Sequence, residues 1–248
     1  MAISILNERQ SRDEATAAAN RKLATLDARD RVRWALAELP ATPILTSSFG
    51  AQAAVMLHLV SRERPDIPVL FIDTGYLFAE TYAFVDALTE QLELNLHVYR
   101  PQRSAAWQEA REGKRWEQGL VGLEAYNREN KVEPMERALA DLNAGLWFAG
   151  VRRTQSATRQ ALPYVVTRGQ RWKVHPILDW ADRDVHRYLT ANKLPYHPLW
   201  HQGYVSIGDT HSTRSLHEAG SIDATRFNGQ KRECGLHEMD FGNDAQSA

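Results

Sequence analysis

Residues 44–60 read ILTSSFGAQAAVMLHLV, and two different structural habits meet inside that stretch. Ile44 to Phe49 reads as a short buried strand, and Ala51 to Val60, rich in apolar residues, predicts a helix starting immediately after Gly50. Strand, tight turn and helix in succession make the opening unit of an α/β domain.

The same alternation continues downstream. Val69 to Asp73 predicts a strand, Phe78 to Leu92 a helix, Leu94 to Tyr99 a strand, and Glu133 to Leu142 a helix with Pro134 in its first turn. Leu146 to Val151 and Trp172 to Ile177 predict two further strands, and Asp182 to Thr190 a short helix. Strands regularly separated by helices imply a mostly parallel sheet flanked by helices, an α/β fold. Upstream, Leu23, Leu26, Val32, Leu36 and Leu39 fall at helical spacings and predict one or two amphipathic helices before Pro40. From residue 193 the chain turns rich in Gly, His, Pro and charge, which predicts an extended C-terminal tail. The expected organisation is a helical segment over 1–39, an α/β domain over 40–192 and a tail over 193–248.

Composition removes several classes of function. A formal charge of −1 over 248 residues lacks the basic excess of a general nucleic-acid binder. No run approaches the roughly 20 apolar residues that cross a bilayer, and the first residues carry no basic segment followed by an apolar core, so a cytoplasmic protein is expected. The single cysteine excludes an intrachain disulfide and a cysteine-only metal site. His175, His197, His201 and His211 are not spaced as a compact ligand set, and no metal is expected. No acidic residue falls between Asp141 and Asp179, while Arg152, Arg153, Arg159, Arg168, Arg171 and Lys173 all do. That interval reads either as a holder for a small polyanion or as a solvated basic face.

Three segments have the residue types of a reactive site. Ser47, Ser48, Phe49 and Gly50 occupy the first strand-to-helix turn, where hydroxyls, backbone N–H groups and the positive helix end suit a phosphate, although small residues there also serve as plain turn chemistry. No Gly-Lys-Ser/Thr follows, so it is not a Walker loop. Asp73, Thr74 and Gly75 end the next strand; polar strand ends side by side form the crevice in which open α/β sheets bind ligands, and Asp73 equally suits a cap on the following helix. The third segment is KRECGLHE at 231–238. Cys234 sits there in polar, Gly-containing sequence beside Lys231, Arg232 and His237, surroundings that lower a thiol pKa from its usual value of about 8.5. His237 reads either as tuning that thiolate or as capping the tail's last turn.

In this order, the three segments resemble the phosphoadenylyl sulfate (PAPS) reductase family. The likeness extends to KVEPM at 131–135, WFAGVRR at 147–153, HPLW at 197–200 and GYVSIGDTHST at 203–213, with the KRECGLH ending its most specific part. The resemblance implies an adenine nucleotide α-hydrolase-like fold whose modified pyrophosphate loop is Ser47, Ser48, Phe49 and Gly50. It places Asp73, Thr74 and Gly75 beside the adenosine, Arg152 and Arg153 in an arginine loop, and Lys131 and Arg226 near the sulfate and phosphates. It implies that Cys234 is the nucleophile, with thioredoxin or glutaredoxin as external reductant, and that the protein is a homodimer.

A branch of the family that reduces adenylyl sulfate (APS) holds an iron–sulfur cluster on four cysteines, and the corresponding positions here are Tyr126, Asn127, Asp209 and Ser212. No cluster is therefore expected, and PAPS is expected as substrate. A cluster-free APS reductase, an ATP-using adenylyltransferase and a nucleotide sensor without chemistry are the alternatives; the last two have no need of Cys234.

Overall fold

The computed structural model describes residues 2–227. Two helices, α1 (Ala2–Leu23) and α2 (Ala28–Glu38), lead into β1 (Pro43–Thr46), α3 (Ala54–Ser61), β2 (Pro68–Ile72), α4 (Ala79–Leu92) and β3 (Asn95–Tyr99). Then follow α5 (Ala105–Glu112), α6 (Gly119–Asn127), α7 (Glu133–Asp141), β4 (Leu146–Ala149), β5 (Val165–Arg168), β6 (Arg171–Val174) and α8 (Asp182–Ala191). The six strands form one sheet in the order β3-β2-β1-β4-β6-β5, parallel throughout except that β5 runs antiparallel to β6.

The central strands are continuous apolar runs because helices cover both of their faces. All four residues of β4 are buried, as are Ile44 and Leu45 of β1 and Val69, Leu70 and Phe71 of β2. At the β3 edge Val98 is exposed. At the other edge, β5 is covered by α1: Asn20 Nδ2 donates to Val165 O (2.7 Å), and Val165 N–H donates to Asn20 Oδ1 (3.0 Å). One side chain thus satisfies both backbone groups of an otherwise open strand edge. Arg31 of α2, buried, donates to both carboxylate oxygens of Asp179 (2.6 and 2.8 Å), fastening the N-terminal helices to the segment before α8. The N-terminal helices belong to the same hydrophobic core as the sheet.

Four departures from the sequence-based expectation have physical causes. The helix expected from Ala51 starts at Ala54, because Phe49 adopts a left-handed conformation (φ 48°) and the chain needs a turn to recover. The strand expected from Trp172 is present as β6, but it is the second arm of a hairpin whose first arm, β5, has no counterpart in the sequence-based expectation; Gly169 (φ 57°) opens the two-residue turn. Helices α5 and α6 stand where the sequence pattern predicts no element. The helix expected from Glu133 is the end of a longer helical run that starts at Gly119 and widens into a π-turn over Arg128–Val132. Pro134 supplies no N–H and its ring excludes the carbonyl four residues back, and the turn just before it loosens accordingly. Such π-turns concentrate at functional sites, and this one carries Lys131.

From residue 193 regular structure is sparse, as expected, but as far as residue 227 the chain is packed rather than free. His197, Leu199, Ile207 and Asp209 are buried, and short bridges join Leu77 to Asp209 and Thr213 to Arg226. No helix among the described residues is long and apolar enough to cross a membrane.

Candidate active site

Strand order reverses at β1: β2 and β3 lie on one side of it and β4 on the other. A crevice forms at such a switch point beyond the carboxyl ends of the strands. Here those ends carry Ser47–Gly50 after β1, Asp73–Gly75 after β2 and Gly150–Arg153 after β4.

The first loop is held in an unusual shape. Ser47 N–H continues the sheet by donating to Leu70 O (3.0 Å), and Ser47 Oγ accepts from Phe49 N–H (3.1 Å). Phe49 combines its left-handed backbone with a fully buried ring set edge-on against Phe71, 5.3 Å between centroids. A bulky residue in that region of φ/ψ is costly, and packing of the ring is what holds it there. Ser48 stays exposed. Close helix packing against the end of β4 requires Gly150, since a Cβ there would lie 2.8 Å from Met56 Cγ.

Arg152, only 4% exposed, ties the ends of β1 and β4 together: one terminal nitrogen donates to Gln52 Oε1 (2.6 Å) and the other to Asp182 Oδ1 (2.9 Å) at the start of α8. Arg153 is engaged elsewhere, donating to Leu162 O (3.0 and 3.3 Å) and lying 5.2 Å from the Tyr164 ring centre. The acid-free interval does not form one basic patch. Arg171 donates to Ala144 O, at the opposite end of the strands, and Lys173 is buried over the Trp147 ring.

Asp73 does not cap α4, whose N-terminal residue Phe78 makes no side-chain cap. Its carboxylate instead accepts from Gly75 N–H (2.9 Å), Tyr82 OH (2.7 Å) and Arg100 Nε (2.8 Å). Burial pushes this carboxyl upward, but those hydrogen bonds prevail and hold it below the ordinary range. Gly75 has φ +79°, a conformation the turn needs and L side chains rarely adopt.

The remaining predicted residues meet around Asp209, which is 1% exposed. Its Oδ1 accepts from Thr74 Oγ1 (2.6 Å) and its Oδ2 lies 2.6 Å from Lys131 Nζ. Lys131 sits 5.4 Å from the ring centres of both Tyr126 and Phe227. Arg226 lies flush on the backbone of Gly208, where a Cβ would fall 2.1 Å from its guanidinium, and donates to Thr213 Oγ1 (3.2 Å). Residues 207–209 therefore join both halves of the site: Ile207 packs with Ala51 of the first loop, Gly208 supports Arg226, and Asp209 holds Lys131 and Thr74. Beside them, Phe78, Tyr204, Thr210, Thr213, Arg214 and Glu218 line an open cleft of about 400 Å³. Cys234 and His237 lie outside the described residues, with Cys234 seven positions beyond Phe227.

Two histidines, His197 fully buried and His211 largely so, brace this region in their neutral form. His197 Nδ1 accepts from Leu199 N–H (3.1 Å), so Nε2 carries the proton toward Thr81 Oγ1 (3.1 Å). His211 stacks on Trp116, 3.9 Å between centroids. Burial lowers His197 to about 4; burial, reinforced by Lys131 and Arg226 against the pull of Asp209, lowers His211 to about 4. Below pH 6.5 the unfolded chain binds protons at these positions and the folded chain does not, so stability falls as pH drops from 6.5 toward 4. The slope contributed by each histidine is at most about 1.4 kcal/mol per pH unit. Urea unfolding midpoints across that range check this, and His197→Asn, which keeps an acceptor for Leu199 N–H, is expected to flatten the dependence.

Sequence reasoning assigned no role to Gln52, to Trp116 or to Asp209 as the partner of Lys131. The stretch GDTHST at 208–213 was the available signal for the last, but only the fold shows what it touches.

The profile of the phosphoadenosine phosphosulfate reductase domain matches residues 42–215. A phosphoadenosine 5′-phosphosulfate reductase of Alkalilimnicola ehrlichii is 64% identical over 219 residues, 88% of this chain and 89% of that one. One from Shewanella oneidensis is 62% identical over 218 residues, again 88% and 89% of the two chains. Among solved structures, the PAPS reductase of Candida auris in its phosphate complex superposes with a TM-score of 0.72 at 31% identity, covering 81% of this chain and 97% of that one. The FMN adenylyltransferase of Candida glabrata shares the fold alone, with a TM-score of 0.57 at 15% identity, covering 77% of this chain and 66% of that one. With the domain profile matching residues 42–215, and with relatives of this identity along most of its length, the chain belongs to the phosphoadenosine phosphosulfate reductase family.

Proposed function

We propose that this chain reduces PAPS to sulfite and adenosine 3′,5′-bisphosphate, as a step of assimilatory sulfate reduction, through an S-sulfo intermediate on Cys234. The observation that carries the reading is the convergence, at one end of the sheet, of the Ser47–Gly50 loop with Thr74, Lys131, Arg152 and Arg226: residues 209–213 hold Thr74, Lys131 and Arg226, and Arg152 is tied to Gln52 beyond the loop. Lys131, Arg152 and Arg226 are each at least nine-tenths buried. Desolvated cations fixed in place suit a ligand that carries several negative charges.

In the first half-reaction the Cys234 thiolate attacks the sulfur of PAPS, an S–S bond forms, the S–O bond breaks and the bisphosphate leaves with the electron pair. Cationic residues at the strand ends stabilise the charge gathering on that leaving phosphate. In the second, a thiolate of a dithiol carrier such as thioredoxin or glutaredoxin attacks Cys234 Sγ and releases sulfite. The carrier's second thiol then frees the enzyme, so the carrier is oxidised by two electrons and Cys234 returns as a thiolate. Seven residues of extended chain span at most about 25 Å, so Cys234 is within reach of the site from Phe227.

Iron–sulfur chemistry is not part of the proposal. The four positions that carry cluster cysteines in the APS-reducing branch are here Tyr126, Asn127, Asp209 and Ser212, all buried and none a thiol. Sulfite release with thioredoxin, thioredoxin reductase and NADPH tests the substrate: PAPS is expected to be turned over at least about tenfold more efficiently than APS, a difference of about 1.4 kcal/mol for the 3′-phosphate contact. Equal or better turnover of APS overturns the substrate assignment.

A further inference from the structure

Lys131 is a flexible side chain that has to present one charge at a defined place, and it stands on a π-turn, not in a regular helix. Its ammonium lies between the rings of Tyr126 and Phe227, which confine its stem but offer no strong hydrogen-bond acceptor. The carboxylate of Asp209 supplies one, 2.6 Å from Nζ. Asp209 is in turn fixed at its other oxygen by Thr74 Oγ1, also at 2.6 Å, and along its backbone by the bridge to Leu77. His211 Nε2 stands farther off, 3.9 Å from the same carboxylate. The result is a relay of Thr74, Asp209 and Lys131 that runs from the end of β2 to the π-turn and is buried at every member.

We infer that Asp209 is a positioning residue that acts through Lys131, aiming its ammonium at the anionic end of the substrate, with Thr74 setting the angle of the carboxylate. The inference rests on the proposed reading of the site, in which Lys131 meets the substrate. It explains why a carboxylate is buried in a site that binds an anion: a second negative charge beside the ligand is tolerable only where a cation is held between them. It also gives Thr74 a task besides contact with adenosine.

A double-mutant cycle decides the matter, because residues that act as one unit are not additive. Sulfite release from PAPS and the affinity for adenosine 3′,5′-bisphosphate are measured for Lys131→Met, Asp209→Asn and the double variant. Asp209→Asn alone is expected to lower kcat/KM by about 10²-fold, no more than Lys131→Met does, since it removes only the aim of that one group. In the Lys131→Met background it is expected to lower kcat/KM no further. Losses that multiply in the double variant, or an Asp209→Asn enzyme within threefold of the original, overturn the inference.

Thr74→Val and Thr74→Ser supply a second route that leaves the ion pair's charges in place, and so remain readable if Asp209→Asn does not fold. Serine is expected to retain activity and valine to lose it, with the difference vanishing in the Lys131→Met background. A difference that persists there overturns the role through Lys131. Absence of sulfite from the unaltered enzyme defeats the proposed function instead, and the two failures are thereby separate.

Discussion

Cys234→Ser is expected to reduce sulfite release from PAPS by at least about 10⁴-fold while leaving the affinity for adenosine 3′,5′-bisphosphate in place. A serine hydroxyl is scarcely ionised at neutral pH and has no general base assigned to it, whereas a thiolate is a strong nucleophile that also accepts attack by a dithiol. The chain has no other cysteine to take over. Affinity should survive because every cation assigned to the ligand lies among the described residues, apart from Cys234 in sequence. The NADPH-coupled assay and calorimetric titration with the bisphosphate check the two halves. Equal loss of both would make Cys234 a structural residue.

Lys131→Met is expected to have the next largest effect, on stability as well as on rate. Removing one member of a buried ion pair leaves its partner without compensation, at about 3–5 kcal/mol, and both Lys131 and Asp209 are more than nine-tenths buried. The urea midpoint should fall accordingly, and the double variant with Asp209→Asn should recover part of the loss because neither charge is then left alone. On activity, loss of one positioned cation at a developing phosphate charge is worth about 10²–10³-fold. A Lys131→Met protein as stable as the original would mean that Asp209 finds another partner.

The legible part of this molecule was its central sheet and the short motifs at its strand ends. β1, β2 and β4 are buried on both faces, so each is written as an uninterrupted apolar run, and their hand-over to helices puts Ser47–Gly50 and Asp73–Gly75 in loops whatever the details. Residues 105–132 were not legible. Their helices α5 and α6 carry exposed Trp107, Leu120 and Val121 and buried Gln108 and Asn127, so the polar-out, apolar-in pattern that reveals a helix is scrambled. The π-turn leaves no periodic trace at all.

The site was legible as a set of residues and illegible as a set of pairs. Thr74 and Asp209 are 135 positions apart, and Arg152 and Gln52 are 100 apart. Which carboxylate meets which cation is decided by the strand order, and no local pattern encodes that. Asp73 shows the same limit in reverse: an aspartate has the chemistry of a helix cap, but α4 starts too far downstream, after Phe78, and the carboxylate holds Tyr82, Arg100 and the Gly75 N–H instead. Arg153 stands beside Arg152 in sequence, yet holds Leu162 O rather than Gln52.

The most direct test of the central claim is the mass of the fully reduced protein after mixing with PAPS in the absence of any dithiol. One sulfo group per chain is predicted, on the peptide that contains Cys234, and it should leave as sulfite when reduced thioredoxin is added. Bisphosphate formation without that adduct, or a sulfo group on any other residue, would contradict Cys234 as the nucleophile.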